Sequence, residues 1–237
     1  MKNILKIFIL SIIFLFASCK EEVEKPKVIY ENTSKSKEQT KIDTTALKVA
    51  DLPIHMEGTN YLIFPIGNLK GNNRSLRSSS NESQDSFIVS NYGEFEITGY
   101  LQNLKFQEIG KDTLTALTDK PILIQTATYL KSVSEKIKQQ LLVYTLADMD
   151  TNKDNKLDTN DIKSLYISDI SGHQFAKLSP DFQELIDWNL IVVSNKLYFR
   201  TIEDTSKNGE FEKEDVLHYY FVNLLDKSLK AQEYKPI

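Results

Sequence analysis

The chain has 237 residues, of which 26% are charged and 41% are hydrophobic, and its formal net charge is −4. A single cysteine excludes a disulfide framework and a zinc site built from cysteines. The 29 basic residues do not exceed the 33 acidic ones, so we expect no nucleic-acid partner, because such a partner requires basic groups that neutralise phosphates. The length and apolar content allow one domain or two small ones.

The first 18 residues have the pattern of a signal peptide. Lys2 and Lys6 precede an apolar run over residues 7–17, which only Ser11 interrupts. This run is too short to cross the hydrocarbon core of a bilayer, which needs ~20 helical residues. We therefore expect a signal peptide over residues 1–18 and not a membrane span.

The residues around the lone cysteine resemble the lipobox of bacterial lipoproteins. Phe16, Ala17 and Ser18 place one apolar and two small residues directly before Cys19. The resemblance implies that the Cys19 thiol is acylated, for example with palmitate, and that several acyl chains hold the mature chain on a membrane. An ordinary signal peptide with an incidental cysteine is the alternative.

Residues 20–22, Lys-Glu-Glu, resemble the export tag that sends some lipoproteins to the outer face of the outer membrane. A solvated charge cluster at the start of a linker is the alternative. Together the two resemblances predict an outer-membrane lipoprotein with display at the cell surface, in contact with the membrane through its lipid anchor.

A change of composition divides the rest of the chain into a tether and a domain. Residues 19–47 begin with the lipidated cysteine and are then rich in Lys, Glu, Ser and Thr. They bury too little apolar area to offset the entropy of ordering them, so we predict a flexible tether. Over residues 48–237, short β-branched and aromatic runs such as 61–64 and 122–126 alternate with turn residues. These runs predict a mostly β domain.

Three segments between the runs carry further predictions. Residues 71–86 have almost no apolar side chain and predict a long mobile loop. Residues 171–172 and 195–196 predict hairpin turns. Residues 132–146 have two interpretations: an amphipathic helix, or a connection followed by a strand from Leu141, which we favour.

The most specific pattern lies in loop one, which we define as residues 150–161. Oxygen-bearing side chains occupy positions 1, 3, 5, 9 and 12, and an apolar side chain occupies position 8, as in an EF-hand calcium loop. Calcium takes 6 to 8 oxygen ligands, and alternate side chains of a tightly wound loop converge on one point while the carbonyl of position 7 turns inward. The expected ligands are Asp150, Asn152, Asp154, Lys156 through its main-chain carbonyl, Asp158 and Asp161.

Loop one departs from the EF-hand pattern at two positions. Asn155 replaces the usual glycine, although asparagine tolerates the left-handed conformation better than most residues. Asp161 replaces the usual glutamate. Because the calcium loops of dockerins also have aspartate there, loop one resembles a dockerin loop.

The same pattern recurs in loop two, which we define as residues 204–215. Gly209 supplies the sharp turn. Loop two has fewer ligand carboxylates than loop one, so we expect it to bind calcium more weakly. The alternative for both loops is that they are only good turns between strands. The expected ligands are Asp204, Ser206, Asn208, Glu210 through its carbonyl, Glu212 and Asp215.

The match between the loops extends into the residues that follow them. Ile162 aligns with Val216 and Leu165 with Tyr219, which predicts repeat units around 141–178 and 195–232. The segment after loop one also resembles the outer hairpin of a TolB-type β-propeller blade, with an aromatic strand, a glycine turn and a Leu-Ser-Pro exit. The resemblance implies a partial or small propeller-like repeat of antiparallel hairpins with calcium-loop insertions, although a compact sandwich is equally compatible.

The sequence shows no catalytic constellation. His55, His173 and His218 lie far apart in the chain, and no nucleophile elbow, metalloprotease motif or phosphate loop is present. We therefore expect a non-enzymatic, calcium-binding lipoprotein that acts as an extracytoplasmic binding or scaffold module for a protein or glycan. One alternative is a carboxylate-based hydrolase or glycan-processing enzyme. Another is a helix-loop-helix EF-hand sensor, which requires helices over both 132–146 and 162–170.

Overall fold

A computed structural model of the chain describes residues 25–30, 47–69 and 88–237. The predicted signal peptide, Cys19, the export tag and the loop predicted at residues 71–86 lie outside these ranges.

The described residues form two antiparallel sheets. In the first, the main order is β1-β3-β5-β7-β8-β9-β10, while β2 pairs with β3, and β4 and β6 pair with β5. A single α-helix, α1 (Lys131–Ile137), is found among these residues and connects β7 to β8. The strands are β1 (Leu47–Ala50), β2 (Ile54–His55), β3 (Tyr61–Leu69), β4 (Ser90–Gly93), β5 (Glu96–Glu108), β6 (Leu114–Ala116), β7 (Leu123–Tyr129), β8 (Leu141–Ala147), β9 (Ser164–Asp169) and β10 (Ala176–Lys177).

The second sheet is a simple meander whose order follows the chain. A short 3-10 turn over Val192–Ser194 connects its first two strands, and Asn195 closes this turn in the left-handed conformation, with φ of 52°. The strands are β11 (Gln183–Ile191), β12 (Lys196–Glu203), β13 (Val216–Asn223) and β14 (Ala231–Tyr234).

Strand β8 is buried on both of its faces. Leu142, Tyr144 and Leu146 point into the first core, which lies against β5 and β7. Leu141 and Val143 point the other way, into a second core. An unbroken apolar run is the sequence expected of such a strand, because neither face meets water. Loop one therefore starts from one of the most deeply buried strands of the domain.

The second core holds the two sheets together. Phe199 of β12 and Tyr220 of β13 stack at a centroid distance of 5.0 Å and belong to the same cluster as Leu165 of β9 and Val133 of α1. Each large apolar side chain buried in this way contributes roughly 1.5–3 kcal/mol. Packing of the second sheet against β8, β9 and α1 therefore places both loop-bearing hairpins in one folded unit.

The mostly β, antiparallel prediction is confirmed, and the described sheets are open rather than closed into a barrel. The favoured strand from Leu141 is also confirmed, and the helical pattern is realised only over Lys131–Ile137. The helix ends at Lys138, whose φ of 56° is left-handed. Because β8 and β9 flank loop one, the condition for the helix-loop-helix alternative is not met, and that alternative is wrong for these residues.

The hairpin turn predicted at residues 171–172 is present and depends on glycine. Gly172 has φ of 82°, and a Cβ atom there would lie 2.5 Å from the Phe106 ring, which is itself buried. Gly110 has a similar φ of 87° but no atom within 4 Å of a Cβ position. A substitution at Gly110 therefore introduces backbone strain alone, whereas one at Gly172 introduces backbone strain and steric overlap with Phe106.

Replacing these glycines by alanine should destabilise the domain to different extents. Gly110→Ala should cost about 1–2 kcal/mol, the penalty of the left-handed conformation alone. Gly172→Ala should cost about 1–3 kcal/mol more, because the methyl group overpacks the first core. Urea unfolding of both variants measures the difference, and equal losses would contradict the close approach to Phe106.

Candidate metal centre

Both acidic loops connect neighbouring antiparallel strands. Loop one joins β8 to β9, and the last ladder pair before it is Leu146 with Ser164. Loop two joins β12 to β13, and its last pair is Glu203 with Val216. The same strand-loop-strand connection therefore occurs in each sheet, 54 residues apart in the chain.

The two loops have the same backbone conformation at their sharp turns. Position 4 is left-handed in both, with φ of 58° at Lys153 and 57° at Lys207. Position 6 is also left-handed, with φ of 65° at Asn155 and 90° at Gly209. Asn155 thus adopts the conformation for which the pattern normally requires glycine.

The side chain at position 1 holds the turn in both loops. Asp150 Oδ2 accepts the N–H of Asn155 at 2.9 Å, and Asp204 Oδ2 accepts the N–H of Gly209 at 2.7 Å. The side chain at position 5 accepts the N–H of position 7 in the same way, at 2.8 Å in each loop. These bonds wind the backbone tightly between positions 1 and 7 of each loop.

The carboxylate at position 12 connects the two ends of each loop. Asp161 accepts the N–H of Thr151 at 2.6 Å and that of Asp158 at 3.0 Å, one on each oxygen. Asp215 does the same for positions 2 and 9 of loop two, at 3.1 and 2.9 Å. The position-12 carboxylate therefore makes the same two backbone contacts in both loops. The loops differ at position 1, where Asp204 Oδ1 accepts a hydrogen bond from Ser206 Oγ at 3.0 Å.

Several of these carboxylates are removed from water. Asp161 and Asp204 are each only 1% exposed. Burial raises the pKa of Asp161, against the effect of its backbone hydrogen bonds, whereas hydrogen bonds from the backbone lower the pKa of the more exposed Asp215. Buried carboxylates are normally paired with a cation or a metal ion. The ion pair of Lys27 with Glu210 joins the segment at residues 25–30 to loop two through an exposed carboxylate, not through Asp161 or Asp204.

One oxygen atom at a predicted ligand position has no hydrogen-bond partner among the described residues. Asp150 Oδ1 is buried, and no hydrogen bond reaches it within the described part of the chain. Its other oxygen is bound to Asn155, so the unpartnered oxygen is the one available to a cation. This feature fits a metal ion at position 1 of loop one, since an unsatisfied buried acceptor is costly.

The arrangement is not a compact cluster of acidic side chains. Within the described ranges, no group of three or more His, Cys, Asp or Glu side chains is gathered closely enough to hold a metal ion. Loops of this type also use amide, hydroxyl and carbonyl oxygens, here from Asn152, Ser206 and the main chain of position 7. Oxygen donors of these types suit a hard cation. That they surround a single ion is a prediction.

A segment within the predicted tether lies against both loops. We call residues 25–30 the strap. The N–H groups of Lys27 and Ile29 donate to loop-one carbonyls, and that of Val28 donates to the Gly209 carbonyl of loop two. Sequence reasoning missed these contacts, and the only available signal was the short apolar run over residues 28–30 in a polar stretch.

Tyr30 brings a hydroxyl group to loop two. It lies near the Asp204 carboxylate at position 1, and burial, followed by this carboxylate, raises the pKa of Tyr30 to about 12. The neutral hydroxyl is thus placed to donate to Asp204. Hydrogen bonds to a ligating carboxylate orient it and tune its affinity.

The three histidines serve local structure. His218 on β13 lies between carboxylates of the neighbouring strands, 2.9 Å from Glu203 and 3.0 Å from Glu233. His55 contacts the Thr59 carbonyl at 2.9 Å. A groove of about 530 Å³ along β13 and β14 includes His218 and Glu233, together with Asp215.

His173 belongs to the turn after β9. Its Nδ1 lies 2.7 Å from Ser171 Oγ, and Ser171 in turn donates to Asp169 Oδ1 at 2.5 Å. Because Asp169 Oδ1 also accepts the N–H groups of Ser171 and His173, these three residues close a turn. The serine lies between the acid and the histidine, which is not the order of a hydrolytic triad.

Comparisons with protein-family models, curated proteins and solved structures found no match for this chain. None of the helical segments described in the structure has the length and apolar character needed to cross a bilayer.

The hydrogen bonds at position 2 of each loop give a test of this geometry that does not depend on a metal ion. Buried Thr151 accepts the Ile162 N–H at 3.1 Å through its hydroxyl, whereas its counterpart Thr205 is exposed. Thr151→Val should cost about 1–3 kcal/mol, because it leaves that N–H unsatisfied, and Thr205→Val under about 0.5 kcal/mol. Urea unfolding with a chelator present measures both, and a reversed order would refute the arrangement.

Proposed function

We propose that the protein is a calcium-binding, membrane-anchored lipoprotein that acts as an extracytoplasmic binding or scaffold module. The observation that carries the calcium part is the buried, unpartnered Oδ1 of Asp150 at the first ligand position. It lies in a loop that has the ligand spacing of an EF-hand and the same internal hydrogen bonds as loop two. Tyr129 and Asn195 also have a buried oxygen without a partner, so the weight of the Asp150 oxygen comes from its carboxylate charge and its ligand position in this loop.

The proposed ligands are those at positions 1, 3, 5, 7, 9 and 12 of each loop. Position 7 contributes its carbonyl, which leaves the Glu210 side chain to pair with Lys27 at 3.4 Å. Position 12 uses an aspartate whose oxygens already accept N–H groups, and each carboxylate oxygen has a second lone pair for the ion. Calcium would then neutralise the buried Asp161 and Asp204.

A structural role suits calcium in this chain. Outside the cytoplasm, calcium near ~1 mM fills even a site with Kd of ~10⁻⁴ M and adds about 1.4 kcal/mol of stability per site. Because the chain has a single cysteine, no intramolecular disulfide can add such stability. Calcium in the two loops would close both hairpins at the ends of β8 and β12, where the ladders stop.

An aromatic surface on the second sheet supports a binding role. Tyr198, Tyr219, Phe221 and Tyr234 alternate with core residues along their strands and therefore lie on the face turned away from the second core. Tyr198 and Phe221 are 5.8 Å apart at their ring centroids, and Tyr219 and Tyr234 are 6.0 Å apart. Partly exposed aromatic groups of this kind suit a protein or glycan partner.

The propeller-like arrangement also belongs to this proposal. Strands β11–β14 form a four-stranded antiparallel meander, and β7–β10 form another within the larger sheet. Four-stranded meanders are the blades of β-propellers. We propose that these two meanders are blade-like units, each with one calcium loop. For the hydrolase alternative, the candidate active site is the groove that contains His218 and Glu233.

Calcium should raise the melting temperature of the chain from residue 20 onward, a form that contains every described residue and lacks Cys19. Filling both sites at 1 mM should add about 3 kcal/mol, or roughly 6–12 °C for a domain of this size. The measurement is a thermal melt with calcium and with chelator, paired with calorimetric titration. Magnesium serves as the control cation, because it demands a near-ideal octahedral site. An unchanged melting temperature without binding heat would sink the proposal.

Removing one carboxylate from each loop should rank the two sites. Asp150→Asn should remove the tighter site, with a loss of at least about tenfold in affinity, and Asp204→Asn should remove the weaker one. Asp119→Asn, an exposed position between β6 and β7, controls for the change in net charge and should bind calcium normally. Two-site titration measures each loss, and equal losses from the two loops would contradict the predicted order.

A further inference from the structure

The strap contacts the two loops through its main chain, and its position suggests a further property of the chain. We propose that calcium binding docks residues 25–30 across both loops, so that the strap couples the two sites and responds to calcium as one unit with them. This inference rests on the proposed calcium binding and deepens it.

The strap is extended, and its successive N–H groups point to opposite sides. Lys27 donates to the Asn160 carbonyl at 3.1 Å and Ile29 to the Thr151 carbonyl at 2.8 Å, both in loop one. Val28, between them, donates to the Gly209 carbonyl of loop two at 3.0 Å. Because successive groups of an extended chain point to opposite sides, six residues suffice to connect loops that are 54 residues apart in sequence.

Val28 fixes the strap in place. Its side chain is only 2% exposed, whereas that of Ile29 is 44% exposed. The contact with loop two is also close, because a Cβ atom at Gly209 would lie 2.5 Å from the Val28 carbonyl oxygen. Gly209 therefore serves both the sharp turn of loop two and the approach of the strap.

The strap holds the backbone of residues that carry the proposed ligands. Its partners are positions 2 and 11 of loop one and position 6 of loop two, each next to a ligand position. A few hydrogen bonds and one buried side chain only just balance the entropy of ordering six residues. Docking of the strap is thus marginal without calcium. Calcium ions that fix the backbone of the loops shift the equilibrium strongly toward the docked strap. By reciprocity, a docked strap raises the affinity of both loops.

Tyr30 extends the coupling to a ligand side chain. Its hydroxyl lies near the carboxylate of Asp204, the first ligand position of loop two, and the Lys207 ammonium lies 5.6 Å from the Tyr30 ring centroid. Phe182, just before β11, packs against the same ring at 6.2 Å. Tyr30 is thus a positioning residue for loop two.

Hydrogen exchange of the strap amides gives a direct readout. In the chain from residue 20 onward, we expect exchange at Lys27, Val28 and Ile29 to slow at least about tenfold when calcium replaces chelator. Equal exchange under both conditions, in a chain that binds calcium by calorimetry, would overturn the strap proposal and leave the proposed function standing. A chain with no calcium binding at all would overturn both.

Matched variants test the coupling in the other direction. Val28→Ala should lower the apparent calcium affinity about three- to tenfold, because it removes buried apolar contact of the docked strap. Ile29→Ala, at an exposed neighbouring position, should change the affinity less than twofold. Equal affinities of Val28→Ala and wild type would refute the coupling.

A third variant keeps the proposal testable if Val28→Ala does not fold. Tyr30→Phe removes one hydroxyl and should weaken loop two about tenfold, because it removes the group next to Asp204 and loosens the docked strap. Asp150→Asn in the same background leaves loop two as the site observed in the titration. Unchanged binding at loop two would refute the role of Tyr30 and the docking contact it represents.

Discussion

Burial of β8 on both faces is the constraint on which the rest of the structure depends. One face completes the first core, and the other lies in the second core, which β9 and α1 also line. A polar substitution at Leu142 would therefore disrupt the first core, and one at the neighbouring Val143 would disrupt the second. Loop one follows this strand, so its start is fixed by one of the most deeply buried strands of the domain.

Short carboxylate-to-backbone hydrogen bonds then shape the loops. The acids at positions 1 and 12 accept main-chain N–H groups in both loops, as Asp150 and Asp161 do in loop one. These bonds preform the winding of each loop, and the loops also contain buried carboxylates at Asp161 and Asp204. Preformed geometry together with buried negative charge favours binding of a small hard cation.

The sequence predicted those features that depend on side-chain identity and spacing. The apolar run of β8, the left-handed asparagine at position 155 and the equivalence of the two loops were all readable from residue types. The division into two sheets was not, because it depends on which strands pair across long distances. The strap was missed for a different reason: main-chain N–H groups make its hydrogen bonds, and every residue except proline has one.

The strap also determines where the chain leaves the folded domain. With the strap docked, five residues lie between Cys19 and residue 25, and with it released, 27 residues lie between Cys19 and β1 at Leu47. At roughly 3.5 Å per extended residue, these lengths span at most about 20 Å and about 100 Å. For a chain lipidated at Cys19, calcium would then control the height of the domain above the membrane, and with it which partners the aromatic face can meet.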